Sequence, residues 1–391
     1  MVEIMKIGLV TPFFLPDIGG ANIYCFELAK AFAAKGHEVH LFTKKGALLD
    51  DAYISHPILT GNLNSDIKAL DNYDMNVWHA LFFFYAPLAL FKKNVFITGH
   101  GDDCFTQQIK YNLPGKDFLT KKLLWRFKGK MRAKINNGIS NLEKPLNSWI
   151  YNRAVKKAKQ IITVSNFTRN MLLKKHPNIE NKTIVVPPGV SERFFDCDNS
   201  PTDSNNNFLT VTRLDEDDRI KNVHGVIKAL GELKNNYSFR YVIIGGAVYG
   251  NYREELETLI TEHGLRNHVF IEGRKSVDEL LQCYHDADLF LLVSYAEQKN
   301  FEGFGIVFLE ANATGTPVLS SREGGMADYI EEGKNGFYVK DTSADGIKDA
   351  LQKYMNSEFD FDSNTIKEYP ESYRWAHIAD RIIDIYKKFR E

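Results

Sequence analysis

The sequence predicts an α/β protein that consists of two doubly wound domains facing each other across a cleft. Its 391 residues exceed what one hydrophobic core usually serves, so two domains are expected. Short apolar strands alternate with helices along most of the chain, which is typical of parallel sheets covered by helices. A polar stretch at residues 196–207 separates two such regions and is typical of a linker.

In the first region, the apolar segment Met5–Thr11 is the first predicted strand, and a turn with two glycines follows it. A helix is predicted over Tyr24–Lys35, because apolar residues recur on one face and Gly36 supplies a common C-terminal stop. The remaining strands predicted here are Glu38–Thr43, Met75–His79, Val95–Gly99 and Gln160–Val164.

The same alternation resumes after the linker. The predicted strands are Phe208–Arg213, Tyr241–Gly245, Val269–Glu272, Leu289–Val293 and Pro317–Ser320. The predicted helices are Val223–Leu233, Tyr252–His263, Val277–Cys283, one after Gly305, and Tyr373–Phe389. Open sheets of this kind bind ligands at the C-terminal ends of their strands, which directs attention to the residues that follow each strand.

Composition points to a cytoplasmic protein. The four cysteines are scattered without metal-binding spacing, which fits free thiols in a reducing compartment. No signal-type segment opens the chain, and the apolar run Val77–Phe91 is too short and too interrupted to span a bilayer. The scattered Asp-x-Asp pairs have no third ligand nearby, so no metal is predicted.

A glycine-rich turn between two carboxylates runs from Glu302 to Glu310. Gly303 and Gly305 let the backbone approach a ligand closely, and a helix beginning near Gly305 offers unpaired N–H groups and partial positive charge. Such a turn suits a phosphate or a sugar hydroxyl. The carboxylate of Glu310 is expected to reach hydroxyls at the helix flank or to face solvent. The alternative is a simple turn with two solvated glutamates.

Two cations lie at the end of the first strand of the second region and shortly after it. Arg213 ends that strand, and Lys221 opens the next helix after the acidic loop formed by residues 215–218. A guanidinium and an ammonium together suit the neutralisation of a diphosphate leaving group. Pairing of both cations with the acidic loop is the alternative.

Three residues of the first region are further candidates. Gly19 and Gly20 lie in the turn before the first helix, a position typical of phosphate-binding turns, and a simple tight turn is the alternative. The spacing G-x-G-x-x-G is absent here and at residues 245–250, which disfavours a nicotinamide enzyme.

His100 ends a predicted strand and is expected to point into the cleft, where it would hydrogen-bond a sugar hydroxyl.

A basic segment at residues 121–134 mixes lysines and arginines with leucine, tryptophan and phenylalanine. A solvated helix face is the usual meaning of such a run. Cations mixed with large apolar side chains also suit peripheral contact with the anionic inner face of a membrane, or with a lipid-phosphate acceptor. No nucleic-acid recognition motif accompanies it, so nucleic acid is not predicted as a partner.

These features together resemble the retaining glycosyltransferases of family 4, which have the two-domain GT-B fold with two Rossmann-like domains. The resemblance covers nearly the whole chain and depends on the order of its motifs. The matching pieces are Ile7–Val10, Gly19-Gly20, Gly36–Val39, Ile161–Ser165, Pro187–Val190, Arg213-Leu214, Lys221, Glu302–Glu310 and Gly315–Val318.

The resemblance implies roles for individual residues. Glu310 would hold the ribose hydroxyls of a nucleotide-diphosphate sugar, and Arg213 with Lys221 would hold its diphosphate. Glu302 would hold the donor sugar, and His100 would lie beside it. These two residues, with Arg213 and Lys221, are the expected catalytic residues. The remaining implied donor contacts are Gly19, Gly20, Arg274, Gly303, Phe304, Gly305 and Ile306. The family usually needs no metal, and its nucleotide sugar is a substrate, so no cofactor is expected.

The resemblance also implies a division of labour between the domains. Residues 1–197 would form the acceptor-side domain, with the C-terminal helix 373–391 packed back onto it, and residues 198–372 would bind the nucleotide sugar. The expected reaction is retaining, metal-independent transfer, with UDP as the expected nucleotide, to a carbohydrate or lipid-linked hydroxyl in surface glycan synthesis. The alternatives are a nucleotide-sugar epimerase of the same fold and a catalytically inactive nucleotide-binding regulator.

The chain departs from the family's usual residues at Thr212, at Ser191 and in the Gly245-Gly246-Ala247 turn. The loop before Lys221 is also longer than is common in the family. These departures bear on the identity of the donor.

Overall fold

The computed structural model describes residues 3–15, 19–44, 46, 50–105, 147–196, 206–297 and 300–389. The chain divides into two compact units. Unit 1 comprises Met1–Thr163, Arg169–Val185 and Ile382–Glu391, and unit 2 comprises Val164–Thr168 and Val186–Arg381. The linker predicted at residues 196–207 and the basic segment at residues 121–134 lie largely or wholly outside the described residues.

Unit 1 contains a parallel sheet in which seven described strands are ordered β3-β2-β1-β4-β5-β6-β7. These strands are β1 Lys6–Val10, β2 Glu38–Phe42, β3 Ile54–His56, β4 Val77–Ala80, β5 Val95–Gly99, β6 Gln160–Thr163 and β7 Thr183–Val185. The helices that accompany them are α1 Gly20–Ala34, α2 Leu63–Leu70 and α3 Asn166–Lys175, the last of which begins in unit 2. Residues 147–157 are also helical.

The first helix starts earlier than predicted. The sequence places its beginning at Tyr24, but α1 begins at Gly20, and the amides of Asn22 and Ile23 donate to the carbonyl of Gly19. Low helix propensity disfavours glycine in a helix interior, yet at the first turn it costs little, so the glycine pair forms the helix N-terminus. The predicted stop at Gly36 is confirmed, with φ of +83° at that residue.

The C-terminal residues Ile382–Glu391 are part of unit 1, and Tyr386 is completely buried there. Its hydroxyl lies 2.6 Å from Nδ1 of His79, and the other ring nitrogen of His79 lies 2.7 Å from the hydroxyl of Thr98. The Tyr386 ring also packs against Phe96. A buried histidine with two hydroxyl partners therefore joins the chain terminus to strands β4 and β5.

Unit 2 contains a second parallel sheet, in which six described strands are ordered β10-β9-β8-β11-β12-β13. These strands are β8 Asn207–Val211, β9 Arg240–Ile244, β10 Val269–Glu272, β11 Leu289–Leu292, β12 Val318–Ser320 and β13 Gly336–Tyr338. The helices are α4 Val223–Leu233, α5 Tyr252–Glu262, α6 Val277–His285, α7 Ile306–Ala313, α8 Ala344–Met355, α9 Ser363–Glu368 and α10 Trp375–Lys387, which continues into unit 1.

Local chemistry explains where α6 begins. Ser276 caps α6 by accepting from the amide of Glu279, whose carboxylate accepts in return from the backbone of Ser276. The core of unit 2 then forms where the apolar faces of helices such as α4 meet the sheet, with Val226 and Leu230 among its buried residues.

The predicted alternation of parallel strands and helices is confirmed, and its bounds agree to within a few residues. The sequence did not predict strands β3, β7 and β13, which have three residues each. A run this short carries little periodicity, although β12, of the same length, was predicted. In the described part of the chain, no helix is both long enough and apolar enough to cross a membrane.

Candidate functional site

In unit 2, several candidate residues lie just beyond the C-terminal ends of parallel strands. Arg213 lies two residues after β8, and Arg274 lies two residues after β10. Gly245 and Gly246 follow β9, which pairs with both β8 and β10. Because these strands are parallel, the segments that follow them meet at one edge of the sheet, the edge at which such sheets bind ligands.

Lys221 and Glu302 form an ion pair in unit 2. Their side chains are only 16% and 14% exposed, so both charges are largely removed from water. Lys221 ends a short 3₁₀ turn, Glu216–Lys221, rather than opening α4, and Asn222 follows it with φ of +58°. The ammonium is thereby directed towards the glycine-rich turn.

Arg213 forms a second ion pair, with an N–O distance of 3.2 Å between its guanidinium and Oδ1 of Asp218. Asp218 is 4% exposed, and its Oδ2 is buried without a hydrogen-bond partner. Burial raises the pKa of Asp218, although the positive charges of Arg213 and Lys221 oppose that shift. Arg213 therefore does pair with the acidic loop, as the alternative interpretation allowed, whereas Lys221 pairs with Glu302.

The turn that carries Glu302 requires glycine at position 305. Gly305 has φ of +85°, and a Cβ there would lie 2.6 Å from the ring of Phe308. The same Cβ would lie 3.6 Å from Cγ of Glu302, so the start of α7 adjoins the ion pair. The first turn of a helix leaves backbone N–H groups without intrahelical partners, and here that turn begins beside Glu302, the partner of Lys221.

A second glycine pair holds this turn in place. The amide of Gly325 donates to the carbonyl of Glu302 over 2.9 Å, and Gly324 forms a parallel bridge with the same residue. A Cβ on Gly325 would lie 1.8 Å from the carbonyl oxygen of Gly303, so no side chain fits there. The conformation of the Glu302 turn thus depends on a segment that follows β12.

Glu310 lies inside α7 and is 6% exposed, so it does not face solvent. The hydroxyl of Tyr284 donates to its Oε2 over 2.8 Å. Tyr284 is completely buried near the end of α6. The carboxylate therefore meets a protein hydroxyl, and a buried charge at this position is compensated by a hydrogen bond.

Arg274 lies against the glycine turn that follows β9. A Cβ on Gly246 would lie 3.3 Å from Nε of Arg274. The carbonyl of Gly246 accepts from the amide of Leu214 over 3.3 Å, which brings the Arg213 segment to the same turn. Gly245, with φ of +154°, approaches so closely that a Cβ there would lie 1.7 Å from the carbonyl oxygen of Thr212.

In unit 1, His100 directly follows β5, as predicted. Its Nε2 lies 2.8 Å from the carbonyl oxygen of Leu81, which only accepts, so Nε2 carries the proton. Burial lowers the pKa of His100 to about 4, so the ring is neutral at pH 7 and Nδ1 is an acceptor. The buried carboxylate of Asp103 accepts from the amides of His100 and Gly101, which fixes the loop.

A sequence model of the glycosyl transferases of group 1 matches residues 195–372, and a model of glycosyltransferase family 4 matches residues 18–194. The two models together span nearly the whole chain. The chain belongs to the group 1 glycosyltransferases.

Relatives of this glycosyltransferase agree with that assignment. An uncharacterised glycosyltransferase of Methanocaldococcus jannaschii is 25% identical over 98% of both chains. Among solved structures, a sucrose-phosphate synthase from Thermosynechococcus elongatus has a TM-score of 0.72 and 19% identity over 98% of both chains. An Anabaena protein in complex with UDP has a TM-score of 0.68 and 18% identity, covering 98% of this chain and all of that one. The GT-B fold predicted from the sequence is confirmed.

The structure of the glycosyltransferase brings together Lys221, Glu302 and Gly305 of the predicted site. Arg213 pairs with Asp218, which also feels the charge of Lys221, and Arg274 lies beside the Gly246 turn. Glu310 lies on the helix that Gly305 begins. Gly19, Gly20 and His100 lie in unit 1. The donor-binding and catalytic roles of these residues, and those of Gly303, Phe304 and Ile306, stay predictions.

Sequence reasoning missed three features of the glycosyltransferase site. Asp218 was considered only as one of several acidic loop residues. The glycine doublet Gly324-Gly325 was visible in the sequence but had no apparent partner. Tyr284 offered no signal, because a tyrosine in an amphipathic helix is indistinguishable from an ordinary core residue.

Proposed function

We propose that the protein transfers a sugar from a nucleotide-diphosphate sugar, with UDP as the nucleotide, to a hydroxyl acceptor with retention of the anomeric configuration. The observation that carries this proposal is the cluster of Arg213, Lys221 and Glu302 beside the N-terminus of α7. Group 1 membership supports glycosyl transfer itself, and the proposal adds the donor, the stereochemical outcome and the roles of these residues.

Departure of a nucleoside diphosphate from a sugar leaves growing negative charge on phosphate oxygens. Preorganised cations stabilise such charge, and the effect is strongest where exposure is low, as at Lys221, whose side chain is 16% exposed against 53% for Arg213. Without a donor, Asp218 and Glu302 pair with the two cations and reduce the repulsion between them. The donor's diphosphate would take over these partners as it binds.

Two cations and a helix N-terminus also offer what a divalent metal supplies in other phosphate chemistry. The proposal is therefore metal-independent transfer. Transfer that continues unchanged after prolonged treatment with EDTA supports this, and activity that is lost with EDTA and returns with Mg²⁺ or Mn²⁺ contradicts it.

UDP is proposed as the nucleotide because the similar Anabaena protein has been solved in complex with UDP and with UDP-glucose. Arg274 would border the base, since it lies against the turn that follows β9. A thermal-shift screen of UDP, GDP and ADP tests this choice, because a ligand of the native state raises the melting temperature. Stabilisation by GDP or ADP in preference to UDP would exclude the proposed donor.

The acceptor is proposed to be a lipid-linked or surface-glycan precursor at the inner membrane face. The support is the sequence of residues 121–134, which combines cations with large apolar side chains. Binding to anionic vesicles is expected to weaken with salt and to be lost when Lys128, Lys130 and Arg132 are replaced by serine. Salt-independent binding, or undiminished binding of the triple variant, would contradict a membrane role for this segment.

The decisive experiment incubates the protein with UDP-sugars, with and without glycan and lipid-linked acceptors. Release of UDP that depends on the acceptor supports glycosyl transfer. The anomeric configuration of the product is determined by nuclear magnetic resonance, and the same configuration as in the donor supports retention. An isomerised sugar formed without acceptor would indicate the epimerase. Nucleotide binding without turnover on any donor would indicate the inactive regulator.

A further inference from the structure

Tyr284 and Glu310 form a buried hydrogen-bonded pair in unit 2, between helices α6 and α7. The tyrosine hydroxyl donates to Oε2 of the carboxylate over 2.8 Å, and the two residues are 0% and 6% exposed. A carboxylate on the second turn of a largely buried helix is costly to keep unless it has a task or a partner. Here it has a partner that is itself held on several sides.

The tyrosine is fixed by its surroundings. Its backbone carbonyl accepts from the hydroxyl of Thr316 over 2.8 Å. Its ring packs against Phe194 and Phe290, with centroid distances of 5.8 and 5.7 Å. Thr316 belongs to the short connection that follows α7, so the segment that carries Glu310 is bonded to the tyrosine at two places. The hydroxyl therefore has little freedom to follow a moving carboxylate.

The direction of the hydrogen bond is also fixed. Burial, and secondly the charge of Glu310, raise the pKa of Tyr284 well above its ordinary value, so the hydroxyl keeps its proton and donates it. A carboxylate that accepts a bond at Oε2 is held in one rotation about its Cγ–Cδ bond. Recognition of a ribose by two hydroxyls demands such a fixed orientation.

We propose that Tyr284 is a positioning residue for donor recognition: its hydroxyl orients the Glu310 carboxylate so that it selects the ribose hydroxyls of the nucleotide. This rests on the proposed function, in which Glu310 holds those hydroxyls. The alternative role for Tyr284 is purely structural, to compensate the burial of a carboxylate. The two roles differ in one measurable property, which is the preference for ribose over a sugar that lacks both hydroxyls.

The experiment compares binding of a nucleoside diphosphate with binding of its 2′,3′-dideoxy counterpart by calorimetry. UDP, GDP and ADP are tried first, and the tightest is used with its own dideoxy analogue. The variants are Tyr284→Phe, which removes only the hydroxyl, and Tyr284→Met, which is a second apolar replacement should the first not fold. Tyr241→Phe is the matched control, because Tyr241 is also 0% exposed and its hydroxyl lies 2.7 Å from that of Thr210.

Wild-type protein should prefer the ribonucleotide, and both Tyr284 variants should lose most of that preference. A loss of about tenfold is expected, because hydrogen bonds to charged groups are typically worth at least that factor. Binding of the dideoxy compound should change little, and Tyr241→Phe should keep the full preference at a comparable loss of melting temperature.

The inference fails if a folded Tyr284 variant keeps the wild-type preference while its melting temperature falls, since that is the purely structural result. Equal binding of both compounds by the wild-type protein would contradict the proposed donor site as well as this inference. It would remove Glu310 as the ribose ligand, and the proposed donor site would fail together with this inference.

Discussion

The ammonium of Lys221 and the carboxylate of Glu302 form an ion pair across 81 positions of sequence. Neither side chain is more than 16% exposed, so water screens the pair only weakly. The pair connects the loop that follows β8 with the glycine turn that begins α7. It thereby places a cation, a carboxylate and a helix N-terminus together before any donor is bound, and the predictions for activity depend on this arrangement.

Replacement of Arg213 or Lys221 by alanine is expected to reduce transfer about a hundredfold or more, because each would remove a preorganised charge from the departing diphosphate. Initial rates of UDP release with a UDP-sugar and acceptor measure this effect. The matched control is Lys348→Ala, which removes a cation paired with Glu232 and Asp345 elsewhere in unit 2. Near-normal rates in both site variants would rule out the proposed role.

Glu302→Gln is expected to separate binding from turnover. The variant should bind UDP a few times more tightly, because the Lys221 ammonium no longer has a competing carboxylate, and the gain should shrink as salt is added. Transfer should nevertheless fall, since Glu302 is predicted to act on the donor sugar. Calorimetry and initial rates measure the two effects, with Glu232→Gln as the control.

Weaker UDP binding by Glu302→Gln would carry a different meaning. It would indicate that the main contribution of Glu302 is to hold Lys221 in position, rather than to compete with the diphosphate for it.

Gly305→Ala and Gly333→Ala distinguish backbone strain from a steric clash. Both glycines have positive φ, of +85° and +80°, so each alanine should cost about 1–2 kcal/mol in the free energy of unfolding. A Cβ on Gly333 meets nothing within 4 Å, whereas one on Gly305 lies 2.6 Å from Phe308. Gly305→Ala should therefore be clearly the more destabilising in urea titrations. Equal losses would show that the turn adapts at little cost.

Acid should destabilise the protein through its buried histidines. Burial lowers the pKa of His79 to about 3, below the value of about 6.5 in an unfolded chain. Its contribution to stability is therefore complete above pH 6.5 and is lost as the pH falls towards 3. In that window each such histidine should remove about 1.4 kcal/mol per pH unit.

The measurement is thermal unfolding between pH 7.5 and pH 5.0, followed by circular dichroism. His79→Gln should unfold at a lower temperature at pH 7.5 and show a shallower dependence on pH than wild type. His377→Gln, at an exposed position in unit 2, is the control and should retain the wild-type slope. A His79→Gln profile parallel to wild type would contradict this account of the acid sensitivity.

The strands and helices were predictable because their signal is local. An apolar run such as Val95–Gly99, or a helix such as Val223–Leu233 between clear boundaries, carries its periodicity within its own residues. The start of α1 was predicted at Tyr24 instead of Gly20, because glycine is a poor helix former in general and its tolerance at a first turn depends on context. The candidate cations and the glutamates were also recognisable, since their spacing resembled a family pattern.

The amino-acid sequence by itself thus determined the α/β class, the order of the elements and the residue types available for diphosphate chemistry. Only the tertiary structure decided which charges meet: Arg213 with Asp218, and Lys221 with Glu302. It also decided that Tyr284 bonds to Glu310 and that Gly325 supports the Glu302 turn. Arg213 and Asp218 are close in sequence, but the other contacts join residues that lie more than twenty positions apart. Such distant pairings arise when the parallel sheet brings the segments that follow its strands to one edge and packs its helices against one another.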